Sequence, residues 1–118
     1  MRFFLLLLAI TLTTTPALAG WKTIKSEAEL QEKVVGRSFI DPESKAWFRL
    51  RKNGKLVGAA RKQKLTGAWQ WKSGFVCFNR KLGGEKLPSD CVVMQFDRNN
   101  IATIRKSGKG RKTAYKPK

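Results

Sequence analysis

The sequence predicts a mostly β domain with one short N-terminal helix, its strands forming a small antiparallel meander that closes into a barrel or sandwich. Three observations carry this. Short segments of alternating polarity recur between turn signals from residue 37 onward. Asn53-Gly54, the strongest short hairpin signal, separates two of them. One segment with a capping box and helical spacing, Ser26 to Gly36, stands ahead of the strands.

The chain begins with Met1-Arg2 and an apolar run from Phe3 to Ile10, broken by Pro16 and followed by Ala17-Leu18-Ala19. A positive end, an apolar stretch and small residues at the cut form the plan of a secretory signal, so residues 1–19 are expected to be cleaved after Ala19. Thr11 to Thr15 and Pro16 stop the run short of the roughly 20 apolar residues a spanning helix needs. No later segment is long and apolar enough to span. The expectation is an exported protein, periplasmic or secreted, with no transmembrane segment after signal removal. Residues 20–118 then form the mature chain, with the domain over 20–106.

Ser26, followed three residues later by Glu29, sets the start of a helix over about Glu27 to Val35. Ala28, Leu30, Val34 and Val35 give it an apolar face, and Gly36 can cap its end. After Gly36 the period changes to two. Arg37 to Ile40 is a short strand, and Asp41-Pro42-Glu43-Ser44 a turn. Ala46 to Arg51 places Phe48 and Leu50 on one face, Trp47, Arg49 and Arg51 on the other. Lys55 to Arg61 returns from the Asn53-Gly54 turn. Gly67 to Lys72 carries Trp69 and Trp71 on a shared face. Ser73-Gly74 leads into Phe75 to Arg80. Leu82 to Asp90 reads as a Gly-rich loop, Cys91 to Phe96 as a strand, and Asp97 to Asn100 as a turn into Ile101 to Lys106.

Residues 107–118 differ in composition and are expected to be a basic, disordered tail. From Arg105 onward the cations are Arg105, Lys106, Lys109, Arg111, Lys112, Lys116 and Lys118. They are the candidate contacts to an anionic partner, against the plainer reading of a solubilising tail.

The whole chain has 25 Lys and Arg against 8 Asp and Glu; without Arg2 the mature chain carries 24 − 8, or +16. Such a charge favours anionic surfaces, acidic polysaccharide, lipid or acidic protein. Export makes nucleic acid an unfavoured partner. Cys77 and Cys91, an even pair in an exported chain, are expected to form a disulfide. The loop they would close, about fifteen residues, is worth about 3 kcal/mol on the chain-entropy model.

The chain has no histidine, which excludes Ser-His-Asp and Cys-His catalysis and most zinc sites. No Gly-x-Gly-x-x-Gly follows a strand, and there is no Walker-type loop. The expectation is a non-enzyme with no cofactor and no metal. Trp47, Trp69 and Trp71 are the candidate aromatic surface, and the row Trp69, Trp71, Phe75 and Phe78 beside Lys72 and Arg80 suits stacking on bases or sugars. The competing reading is that most of these rings fill the core, with Trp47 exposed or covering the back of the sheet.

Gly36-Arg37-Ser38-Phe39 after a short helix, the Asn53-Gly54 hairpin, Gly67-x-Trp69, Gly74 leading to Cys77, and Pro88-x-Asp90-Cys91 together resemble a group of small exported bacterial proteins of unknown function, common among alphaproteobacteria. Some members carry the label dihydrodipicolinate reductase, which this chain does not support, since it lacks the dinucleotide loop and the histidines. A looser similarity, resting on Gly67, Trp69 and the two cysteines, is to lipocalin-like barrels of bacterial metalloprotease inhibitors. It implies the alternative of a periplasmic protease-inhibitor-like barrel. The first expectation is an exported, non-catalytic β domain binding an anionic partner.

Overall fold

Ser26 accepts a hydrogen bond from the Glu29 backbone N–H at 3.1 Å, and the Glu29 carboxylate accepts one from the Lys25 N–H at 3.2 Å. The helix α1 that this cap starts spans Glu27–Lys33. Gly36 stops it at φ +85°, a left-handed conformation that costs glycine little. Leu30 and Val34 are fully buried, whereas Ala28 is exposed and lies off the apolar face. This is a computed structural model that describes residues 20–118. The signal-peptide reading of residues 1–19 lies outside the described residues.

The strands are β1 (Lys22–Thr23), β2 (Ser38–Ile40), β3 (Trp47–Leu50), β4 (Lys55–Ala60), β5 (Gln63–Lys72), β6 (Phe75–Leu82), β7 (Glu85–Asp97), β8 (Asn100–Ile104) and β9 (Lys112–Pro117). From β2 onward each pairs antiparallel with its successor, and β9 returns to pair with β2. The result is a closed eight-stranded antiparallel barrel, with β1 added beside β7. Closure leaves β2 and β8 without open edges.

Two-residue connections make most of the meander. Ser73-Gly74 and Gly83-Gly84 turn with positive φ at both positions, the geometry that matches strand twist. Arg61-Lys62 does the same, at φ +52° and +62°, with no glycine or asparagine to mark it. That turn extends β5 back to Gln63, four residues earlier than the segment expected from Gly67.

Three expectations are corrected. The Gly-rich loop over Leu82 to Asp90 is a tight hairpin, and Glu85 to Asp90 belong to a 13-residue β7. Pro88 is tolerated because β7 bulges there: Pro88 and Ser89 together face Asn79 of β6. Residues 107–118 are not a disordered tail. Lys112–Pro117 is a barrel strand, with Thr113 and Tyr115 facing inward and Lys112, Ala114 and Lys116 outward. Finally, the chain does not continue as a strand through Arg105 and Lys106. Arg105–Gly108 is one distorted helical turn, α2, with Lys106 and Ser107 at positive φ.

Inward residues fill the barrel towards the α1 end. Phe39, Leu50, Val76, Val92 and Ile101 are at most 1% exposed, and burying such side chains stabilises by about 1.5–3 kcal/mol each. The chain reaches α1 from β1, and the Gly36 N–H just after it donates to the Leu50 carbonyl. The helix therefore closes the end where β3 and β7 finish. The connections β2–β3, β4–β5, β6–β7 and β8–β9, the last carrying the α2 turn, lie at the opposite end.

Gly58 and Gly67 let neighbouring strands approach closely. A Cβ on Gly67 would meet the Asn79 carbonyl oxygen, and one on Gly58 the Trp47 carbonyl oxygen. Both are strand positions where only glycine permits the contact.

Candidate functional site

The end opposite α1 opens into a lumen of about 230 Å³. Its wall is mostly aliphatic and aromatic, including Leu65, Leu82, Leu87, Phe78 and Met94, and five polar side chains join it: Arg80, Arg105, Thr103, Thr113 and Tyr115. An eight-stranded barrel is wide enough to be filled by side chains or to hold one small ligand. Here the space runs from the open end inward as far as Leu50 and Leu56.

Arg80 faces inward because β6 alternates: Val76, Phe78, Arg80 and Leu82 share the inner face. Its guanidinium lies 4.5 Å from the Phe78 ring centroid. Its Nε is buried and has no hydrogen-bond partner. Burial pulls the Arg80 pKa below its ordinary value, the charge of Arg105 adds to this, and Tyr115 and Asp90 act in the other direction. Arginine nonetheless stays protonated.

Asp90 offers Arg80 no ion pair. Its carboxylate accepts the Cys91 N–H at 2.8 Å, the Lys106 N–H at 3.1 Å and the Arg105 Nε–H at 3.3 Å. The bulge at Pro88-Ser89 shifts the alternation of β7, so that Leu87 and Asp90 both belong to the inner side. Asp90 is thereby committed to tying α2 to β7. Arg105–Asp90 is the only salt bridge among the described residues.

Tyr115 meets Phe48 edge-on, with centroids 5.1 Å apart. Burial raises its phenol pKa above the ordinary value, and a hydrogen bond with Thr103 works the other way.

The exposed cations Lys45, Arg61, Lys62, Lys106, Lys109 and Arg111 stand on the connections around the open end and Lys86 at the start of β7 beside them, among the acids Asp41, Glu43 and Glu85. Asp41 is occupied within its own loop, accepting from the Glu43 N–H and the Ser44 hydroxyl, both at 2.9 Å. The Glu43 N–H holds its pKa below the usual carboxylate value, with burial opposing and the Ser44 hydroxyl supporting.

The seven cations from Arg105 onward are all exposed, but they do not form one patch. Arg105, Lys106, Lys109 and Arg111 belong to the open end. β9 then carries the chain towards the α1 end, so Lys118 lies about 20 Å along the strand from Lys112 at ~3.3 Å per residue. Lys112 sits 4.7 Å over the Trp21 ring and Lys118 4.0 Å over Trp47. The Lys118 N–H also donates to the Ser38 carbonyl at 3.0 Å.

The three candidate surface tryptophans separate. Trp69 is a correction: it is 8% exposed, and its indole N–H donates to the Arg51 carbonyl at 2.8 Å. It is a core residue whose polar edge fastens the β3–β4 hairpin. Trp71 is partly buried against the core. Trp47 is partly buried on the outward side of β3, beneath Lys118. No shared aromatic platform results.

Cys77 and Cys91 form a disulfide between directly opposed residues of β6 and β7. Val76 and Val92 point into the core, so the bridge lies on the outer wall. Among the described residues no group of three acids, cysteines or histidines could hold a metal ion, and no helix is long and apolar enough to cross a membrane. Comparison with protein-family models, curated proteins and solved structures finds no match to this chain.

Proposed function

We propose that this chain is an exported, non-catalytic barrel that binds an anionic surface or polymer at its open end. The observation that carries the reading is the exposed basic rim there, in which cations outnumber acids and two of the nearby acids, Asp41 and Asp90, are already engaged. A fixed rim of like charge attracts polyanions over about a Debye length and weakens with salt. The disulfide suits an oxidising compartment, which supports the exported reading. A protease inhibitor that inserts its N-terminal segment would need that segment free. Instead β1 pairs with β7 and Trp21 lies under Lys112, so the anionic-partner reading is preferred.

The test is co-sedimentation with vesicles of phosphatidylglycerol and with neutral phosphatidylcholine vesicles at low salt. Binding to the first alone, lost as salt is raised, is the expected result. Replacing Lys106, Lys109 and Arg111 with Gln should weaken it. Equal binding to both vesicles, or none to either together with no retention on heparin, would exclude the reading.

A further inference from the structure

The rim accounts for exposed cations, but not for a guanidinium inside the barrel. Taking a charge even partly out of water is costly unless it is paired or hydrogen-bonded, and Arg80 is half-buried. Arg80 has a buried Nε with no partner, and the one carboxylate near it is committed to Arg105, Lys106 and Cys91. Around it the wall is apolar, and the space is open to one end of the barrel. Arg105 also lines the space but is paired with Asp90, so an apolar pocket with one unpaired charge and a few hydroxyls remains, the composition of a small-molecule site. Complementarity requires a ligand with one anionic group and an otherwise apolar body.

Size narrows the class. The lumen of about 230 Å³ has room for roughly eight groups the size of a water molecule, at about 30 Å³ each. A carboxylic acid of six carbons has eight heavy atoms and one of eight carbons has ten, so the space suits a short acid, not a full-length membrane lipid chain. A planar carboxylate also suits a guanidinium, which offers donors in a fork.

We propose that the barrel lumen is a binding site for a small amphiphilic monocarboxylate, with Arg80 receiving the carboxylate and the aliphatic and aromatic wall taking the chain. The ligand supplies the counter-ion that the fold withholds from Arg80. Thr103 and Tyr115 bring hydroxyls to the same lining. This site uses side chains different from those of the basic rim, so the two readings stand or fall separately.

The experiment is calorimetric titration of the full mature chain with octanoate, 1-octanol, octylammonium and hexadecanoate. Octanoate should bind with one-to-one stoichiometry. Octanol should bind about tenfold or more weakly, the worth of a charge-assisted hydrogen bond, and octylammonium should not bind. Hexadecanoate should bind no more tightly than octanoate, because the lumen is already filled. Arg80→Met keeps an unbranched stem as far as the position of Nε and removes the unpaired charge, so it should melt no lower than the wild type. It should lose octanoate by about tenfold or more while binding octanol as before. The Lys106, Lys109 and Arg111 Gln variant should bind octanoate unchanged. Three results would overturn the proposal: no octanoate binding at millimolar concentration, octanol binding as tightly as octanoate, or an Arg80→Met protein that folds and binds octanoate normally. The comparison of head groups uses the wild type alone, so it decides even if the variant does not fold.

Discussion

Tyr115→Ala separates a structural strand from a solubilising tail. The side chain comes from a lysine-rich segment, yet it lies inside the barrel, edge-on to Phe48 and paired in register with Ile101. Truncating a large aromatic core residue costs about 3–5 kcal/mol. Part of the Tyr115 ring faces the lumen instead of packed atoms, so the low end applies, about 3 kcal/mol. For a domain of this size that lowers Tm by about 12–24 °C, at about 4–8 °C per kcal/mol. The assay is thermal and urea unfolding followed by tryptophan fluorescence, with Lys116→Ala as the control on the outward face of the same strand. The control should change stability by no more than about 0.5 kcal/mol. A loss for Tyr115→Ala no larger than that of the control would refute barrel closure by β9.

Other substitutions probe the remaining supports. Reducing Cys77–Cys91 should lower stability by about 3 kcal/mol at a loop of this length, measurable as a shift of the urea midpoint with and without reductant. Gly67→Ala drives a Cβ onto the Asn79 carbonyl oxygen and should cost about 3 kcal/mol or more; Gln70→Ala, on the exposed face of the same strand, is the neutral comparison. Lys62→Gly relieves a left-handed residue in the β4–β5 turn and should raise stability by about 1 kcal/mol. Burial raises the Tyr115 pKa in the fold, so the unfolded chain loses that proton first. The Tyr115 contribution is intact below its ordinary value of 10.0 and is lost as pH rises above it. Tyr115→Phe should therefore flatten the alkaline limb of the stability–pH curve relative to the wild type.

Local chemistry made much of the fold legible. Ser26 and Glu29 mark the helix start, Asn53-Gly54 and Ser73-Gly74 mark hairpins, and the alternation around Phe48, Leu50 and Val76 marks the inner face. The β4–β5 turn was hidden because Arg61 and Lys62 adopt positive φ without the residue types that usually signal it. Pro88 hid the first half of β7, since proline argues against a strand unless a bulge frees it from the ladder. Charge hid β9: seven cations from Arg105 onward suggested disorder, although Thr113 and Tyr115 alternate with outward Lys112, Ala114 and Lys116. A short strand needs only one good face, and the closed sheet supplies partners on both of its edges.

The rim was legible as composition, not as geometry. Its contiguity arises from four connections brought to one end, and β9 splits the tail cations between the two ends of the barrel. The lumen charge had a readable signal. Arg80 occupies the apolar phase of Val76, Phe78 and Leu82, so a period-two reading of β6 puts a charge in the interior. What no single strand could disclose is that Asp90 is already engaged. That depends on the bulge in β7 and on the α2 turn bringing Arg105 and Lys106 to it.

The claim that this barrel is an anion-binding module is tested most directly by its affinity for phosphatidylglycerol vesicles as a function of salt, measured for the wild type and the Lys106, Lys109 and Arg111 Gln variant. Tight binding at low salt that weakens steadily as salt rises, with a weaker and shallower response in the variant, is the predicted result. Binding that ignores both salt and the three substitutions would contradict it.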